Sequence, residues 1–197
     1  MGRGDDSIPL HRSERALARA GHPIARSTLC ALFHRTAEQL APLYEEMQNV
    51  VRRGRYVHAD ETGQPILDKD QCHRGWMWVM LSRQAVVCHY SDSRDAATAD
   101  ALLGGTSGNL TTDGYAGYNG LSDKTASRLR SGCWGYRRRK FFEAMPAGST
   151  EHENRELLAM ITDLYRVEDE ACSHGIEGSS QHLAFRQGKS APIVKKI

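Results

Sequence analysis

The sequence predicts an α/β fold: a mixed sheet with flanking helices, preceded by a small helical segment. Three observations point there. Apolar residues keep a helical period through residues 10–49, the period changes to that of strands from Arg55, and a helical period returns over 95–103 and 151–172. The 197 residues suffice for one well-buried domain.

In the first segment Leu17, Ala20, Ile24, Leu29, Leu32 and Phe33 fall at roughly helical spacing, and Gly21-His22-Pro23 interrupts them. Ser27 and Thr28 are candidate caps for the second helix. Helix, short glycine-containing turn, helix is the outline of a helix-turn-helix, which sets its second helix in a DNA major groove. It is equally the outline of an αα-hairpin packed on the next domain. Arg12, Arg15, Arg19, Arg26 and Arg35 suit either, because they serve phosphates or solvent. Pro42 sits near the start of a further expected helical stretch, to about Arg53.

Strands are expected over 55–60, 75–81 and 85–90, with Ser82-Arg83-Gln84 as a hairpin connection. A helix over 95–103 follows, with Ser93 available as its cap. A fourth strand over 109–113 and a fifth over 129–136 lead into a helix over 137–145. Pro146-Ala147-Gly148-Ser149 reads as a linker, 151–172 as a long amphipathic helix, and the residues after Ser173 as a polar, Gly/Ser-rich tail. The chain divides into a helical segment (1–53), a core (54–146) and a long helix with its tail (147–197).

Three hairpin-like strands, a helix, a strand, a short excursion and a further strand match the ribonuclease H-like arrangement, in which strands 1 and 4 are central neighbours. Asp60 and Asp113 each read as ending one of those strands, with turn-forming residues directly after. Ligand sites in open α/β sheets form at such reversals of strand order. Hard cations such as Mg²⁺ take oxygen ligands and are often held by one or two carboxylates plus substrate phosphates. The pair would then form the core of a phosphoryl-transfer site. Alternation along the strand puts His58, Asp60 and Thr62 on one face and Glu61 on the other. The plainer reading of each aspartate is a turn-forming Asx residue.

Composition excludes rather than assigns. Hydrophobic content of 40% and charged content of 25% are those of a soluble globular domain. A net charge of +2 is too small to argue nucleic-acid binding by itself. No run approaches the roughly 18 apolar residues of a membrane span, and no apolar stretch follows Met1, so a cytosolic protein is expected. Five dispersed cysteines without a C-x-x-C pair read as reduced and structural. Locally, Arg128, Arg130, Arg137, Arg138, Arg139 and Lys140 surround Trp134 and Tyr136. Basic side chains interleaved with aromatics suit a phosphate backbone and stacked bases, although a solvated helix face has the same composition.

Five motifs then occur in a recognisable order: His58-Ala59-Asp60-Glu61-Thr62, Gly75-Trp76-Met77-Trp78, Tyr90-Ser91-Asp92-Ser93-Arg94, Thr112-Asp113-Gly114-Tyr115-Ala116-Gly117-Tyr118 and Cys133-Trp134-Gly135-Tyr136-Arg137-Arg138-Arg139-Lys140-Phe141-Phe142. In this the chain resembles the transposases of the insertion-sequence-66 family, bacterial DDE enzymes with a ribonuclease H-like core. The likeness extends from Ile8-Pro9-Leu10 to Leu183-Ala184-Phe185-Arg186, nearly the whole chain. It implies metal-dependent cutting of transposon ends and strand transfer into target DNA. Asp60 and Asp113 match the family's first two carboxylates, Mg²⁺ (or Mn²⁺) would be the cofactor, and DNA the partner. It further implies self-association in a transposition complex, a nucleoid-associated protein and no membrane.

The chain departs from the family pattern in two places. Tyr136, after Gly135, stands where the family has a histidine, and a neutral phenol cannot act as a base near neutral pH. The family's third carboxylate lies near an Asn-Asn…Glu-Arg motif that Glu151, Glu153, Glu156, Glu168, Glu170 and Glu177 do not match. The family's N-terminal zinc-binding segment is also unmatched. The expectation is a truncated transposase core, inactive alone. The alternative is a non-catalytic DNA-binding remnant, and a third reading is an ordinary α/β domain with turn aspartates.

Overall fold

The computed structural model describes residues 8–68, 71–123, 129–144 and 152–197. Two helices come first, α1 (Leu10–Arg19) and α2 (Arg26–Arg52). Three antiparallel strands follow: β1 (Tyr56–Asp68), β2 (Gln71–Leu81) and β3 (Val86–Ser91). Then come α3 (Ala96–Leu103), β4 (Asn109–Thr112), a 3-10 turn (Ala116–Tyr118), α4 (Asn119–Asp123), β5 (Leu129–Gly132), α5 (Trp134–Glu143), α6 (His152–Ser173) and α7 (Ser180–Val194). The five strands form one mixed sheet in the order β3-β2-β1-β4-β5. The β1–β2 and β2–β3 pairs are antiparallel, and β4 and β5 run parallel to β1. The expected α/β class holds.

Alternation along β1 sorts the faces. Val57, Ala59 and Glu61 are buried, while Tyr56 and His58 are exposed. The buried face carries the core: Trp78, Met80 and Leu110 of the sheet meet Ala99, Leu102 and Leu103 of α3, Val51 at the end of α2, and Tyr118 and Leu121. Tyr118 meets Trp78 edge-to-face at 6.0 Å. Truncating a fully buried residue such as Leu110 to alanine would cost about 2–5 kcal/mol. Gly108 starts β4 at φ +90°, where a Cβ would lie 2.7 Å from the Arg55 carbonyl. That close approach lets Asn109 N–H donate to Arg55 O (3.0 Å) and brings β4 alongside β1.

Several element boundaries differ from expectation, each for a physical reason. The chain does not turn after Asp60: β1 runs on to Asp68, because β2 continues its ladder as far as Asp68↔Gln71. Pro42 lies inside α2 rather than near the start of a new helix. Having no N–H, it cannot donate to the carbonyl of Glu38, four residues earlier, and Glu38 is exposed. Neither Ser27 nor Thr28 caps α2, whose N-cap is Ala25; the Glu14 carboxylate of α1 accepts from Arg26 N–H at 3.0 Å instead. Asp95, not Ser93, caps α3, accepting from Thr98 N–H at 2.8 Å. β5 stops at Gly132, so α5 begins at Trp134. The polar tail is largely helix α7, capped by Ser179 and tied to α6 by the Glu168–Arg186 and Glu170–Lys189 ion pairs. The Pro146–Ser149 linker, Met145 and Arg128 lie outside the described residues.

Candidate catalytic site on the central strands

The last Cα pair of the parallel β1–β4 ladder is His58↔Thr111. Asp60 and Asp113 each lie two residues further along, Asp60 within β1 and Asp113 just past the end of β4. The charges of both carboxylates act on the Tyr136 phenol, so the two lie near one another. Asp60 Oδ1 accepts from Glu61 N–H at 2.9 Å, and Asp113 Oδ1 accepts from Tyr115 N–H at 2.9 Å. The latter is the Asx turn that the plainer sequence reading anticipated, and it leaves Asp113 Oδ2 facing Arg94 at 3.8 Å. An Asx turn and a ligand role are therefore compatible at this residue.

Beneath the aspartates lies a buried network that sequence reasoning missed. Glu61 does point away from Asp60, into the core, and its side chain is wholly buried. A buried carboxylate needs partners. Arg94 supplies two donors to Oε1, Nε at 2.7 Å and Nη2 at 2.6 Å, and the Tyr118 hydroxyl donates to Oε2. The Arg94 guanidinium stacks on the Tyr115 ring at 3.9 Å and on Trp76 at 4.9 Å. The Tyr115 hydroxyl donates back to the Arg94 carbonyl at 2.5 Å. The available signal was Glu61 itself, a charged residue at a core-facing strand position. Burial first, and then the bond to Glu61, pushes the Tyr118 phenol far above its usual range.

Helix α5 approaches from the other side. Burial first, then the neighbouring Asp60 carboxylate and the charge of Asp113, raise the Tyr136 phenol's pKa well above normal. Tyr136 is therefore a protonated hydroxyl beside Asp60 at neutral pH. Arg139 covers its ring at 5.4 Å. Arg137, Arg138, Arg139 and Lys140 are exposed, with Lys140 paired to Glu143 at 3.3 Å. Arg130 is committed inward instead: it donates to Thr112 Oγ1 (3.3 Å), to Asn119 Oδ1 and to the carbonyls of Asp113 (3.3 Å) and Tyr115 (3.4 Å). It ties β5 to the loop that carries Asp113.

The donor chemistry of Asp60 and Asp113, two carboxylates within reach of one phenol, fits a hard divalent cation. Among the described residues no group of three or more His, Cys, Asp or Glu side chains gathers in a way that could hold a metal. Glu168 accepts from Arg186 (2.7 and 2.5 Å) and from His182 (3.1 Å), and Arg186 first of all holds its pKa below the ordinary range. Glu168 and Glu170 thus clamp α7 to α6. All five cysteines are free thiols, and no helix among the described residues is long and apolar enough to cross a membrane.

Comparison with known proteins adds four findings. The family model described as "Transposase IS66 family" matches residues 3–197. Uncharacterized protein y4qI of Sinorhizobium fredii is 31% identical over 209 residues, which cover 98% of this chain and 38% of that protein. Uncharacterized protein y4jD of the same organism is 28% identical over 207 residues, covering 96% of this chain and 40% of that protein. The chain spans about two fifths of the length of these relatives. A cryoEM structure of a simian T-cell lymphotropic virus intasome in complex with PP2A regulatory subunit B56 gamma aligns with 68% of this chain and 47% of that one. Its TM-score of 0.32 at 14% identity carries no weight for the fold.

Proposed function

The chain belongs to the IS66 transposase family, and from that premise we propose that it forms the core of a transposase that cleaves and transfers DNA strands. Asp60 and Asp113 are its cation-holding pair, with Mg²⁺ or Mn²⁺ as the cofactor. The observation that carries this reading is the place of the two aspartates, each two residues beyond the His58↔Thr111 pair of the neighbouring strands β1 and β4. The strand order β3-β2-β1-β4-β5, with β4 and β5 parallel to β1, supports a ribonuclease H-like core. α1 and α2, with Arg12, Arg15, Arg19, Arg26 and Arg35 exposed, fit a helix-turn-helix-like accessory segment. We retain the division into 1–53, 54–146 and 147–197.

In this reading the residues divide the work. Divalent cations held by Asp60 and Asp113 would supply Lewis-acid stabilisation of a phosphodiester. Asp60 and Asp113 present the oxygens that hold them. Tyr136 stays protonated and orients Asp60, so it takes no part as a base. Exposed Arg137, Arg138, Arg139 and Lys140 lie on the helix above the aspartates, where they contact DNA phosphates, both transposon end and target. Self-association would bring the two ends together. A non-catalytic DNA-binding role is the second reading, favoured by the lack of a third metal-ligating side chain beside the pair among the described residues.

A Mg²⁺-dependent cleavage assay on transposon-end DNA tests the proposal, comparing the wild type, Asp60→Ala and a form extended with the downstream segment of a longer relative. Cleavage lost in Asp60→Ala supports the catalytic reading. DNA binding with no cleavage by any form supports the second.

A further inference from the structure

The β1–β4 ladder ends at His58↔Thr111, two residues short of both aspartates. Backbone pairing between the two strands therefore does not fix Asp113 relative to Asp60. We infer that Arg94 does so as a positioning residue, anchored on Glu61; the inference rests on the reading of Asp60 and Asp113 as a cation-holding pair. The chain of contacts is short. Glu61 is the covalent neighbour of Asp60, so its place is set by β1, whose pairing with β2 continues through Glu61↔Trp78. Its buried carboxylate grips Arg94 through Nε and Nη2 on one oxygen. Nη2 also faces Asp113 Oδ2 at 3.8 Å.

Tyr115 closes the unit. Its N–H holds Asp113 Oδ1, its ring lies against the guanidinium, and its hydroxyl holds the Arg94 carbonyl. Asp113, Tyr115 and Arg94 thus form one block bolted to Glu61, and through Glu61 to Asp60. A lysine at position 94 would keep the charge but lose the fork that spans Glu61 and Asp113.

Two readouts on the full chain test this. The first needs no metal: amide exchange at Tyr115, whose N–H is bonded to Asp113. Arg94→Lys and Glu61→Gln should each reduce Tyr115 protection by ~10-fold or more, because the turn that holds Asp113 then opens more readily. The Cys133 amide, bonded to Thr112 O at 3.1 Å, should keep its protection. The second readout is Mn²⁺ binding followed by electron paramagnetic resonance, which should weaken ~10–100-fold in both variants. Arg52→Lys, at an arginine that donates to Leu102 O (2.9 Å) and Ala101 O (2.8 Å), is the control and should alter neither readout.

Unchanged Tyr115 protection in both variants overturns the inference. So does unchanged Mn²⁺ affinity in both, if wild-type binding depends on Asp113. A response at Tyr115 with no Mn²⁺ binding by the wild type sustains the positioning role and refutes the cation reading. Should Arg94→Lys fail to fold, Glu61→Gln and Tyr115→Phe carry both readouts.

Discussion

The hydroxyl of Tyr136, on α5, faces the Asp60 carboxylate of β1, linking the helix that carries the basic cluster to the strand at the centre of the sheet. With Glu61 N–H already on Oδ1, a second potential donor faces Asp60 before any cation arrives. Tyr136 therefore both orients the carboxylate and competes for its lone pairs.

Removing that competitor should favour the metal. Tyr136→Phe is expected to tighten Mn²⁺ binding about tenfold, because a hydrogen bond to a charged acceptor contributes roughly 1.5 kcal/mol. A titration followed by electron paramagnetic resonance checks this. Weaker binding in the variant would show that orientation outweighs competition.

The two aspartates should act together in metal binding. Asp60→Ala and Asp113→Ala are each expected to abolish Mn²⁺ binding at concentrations that saturate the wild type. With no third metal-ligating side chain beside the pair among the described residues, cleavage by the 197-residue chain should be slower by ~10²-fold or more than by a form extended with a relative's downstream segment. Robust Asp60-dependent cleavage without the extension would point to a local carboxylate as the third ligand.

The arginines should separate into two classes. Arg137→Ala, Arg138→Ala and Arg139→Ala combined are expected to flatten the salt dependence of DNA binding by up to ~2.7 in log–log slope, at about 0.9 for each phosphate no longer neutralised. Arg130→Ala should leave that slope alone and lower stability instead, because its guanidinium is occupied by Thr112, Asn119 and the Asp113 loop. Affinity measured from about 50 to 300 mM salt, with urea unfolding alongside, distinguishes them. A slope change in Arg130→Ala would reverse the assignment.

Alkaline pH should destabilise the fold through Tyr118. Burial, followed by the bond to Glu61, raises this phenol above its unfolded value of about 10. A group with a raised folded pKa contributes stability that is fully present below the unfolded pKa. Above about pH 10 the unfolded chain loses its proton first, and stability falls as pH climbs toward the folded value. Urea midpoints from about pH 8 to 11 should drop more steeply for the wild type than for Tyr118→Phe. Parallel curves would mean that Tyr118 ionises freely.

The sequence by itself determined the α/β class, the order of the elements and the family, because these rest on local signals. Hydrophobic period separates α2 from β1, Gly21-His22-Pro23 ends α1, and the motifs around Asp60 and Asp113 keep their order whatever the packing. Side-chain alternation even set Glu61 opposite Asp60. Only the tertiary structure decided what those local signals leave open. β1 runs past Asp60 because a distant strand, β2, offers ladder partners as far as Gln71. The segment after Ser173 is largely helical because Ser179 caps it and α6 supplies Glu168 and Glu170 as partners. Arg130 and Arg137 look alike in composition, yet one is held by the loop it supports and the other faces water. Glu61 and Arg94 meet across 33 residues of chain, and their contact is long-range packing that no local period encodes.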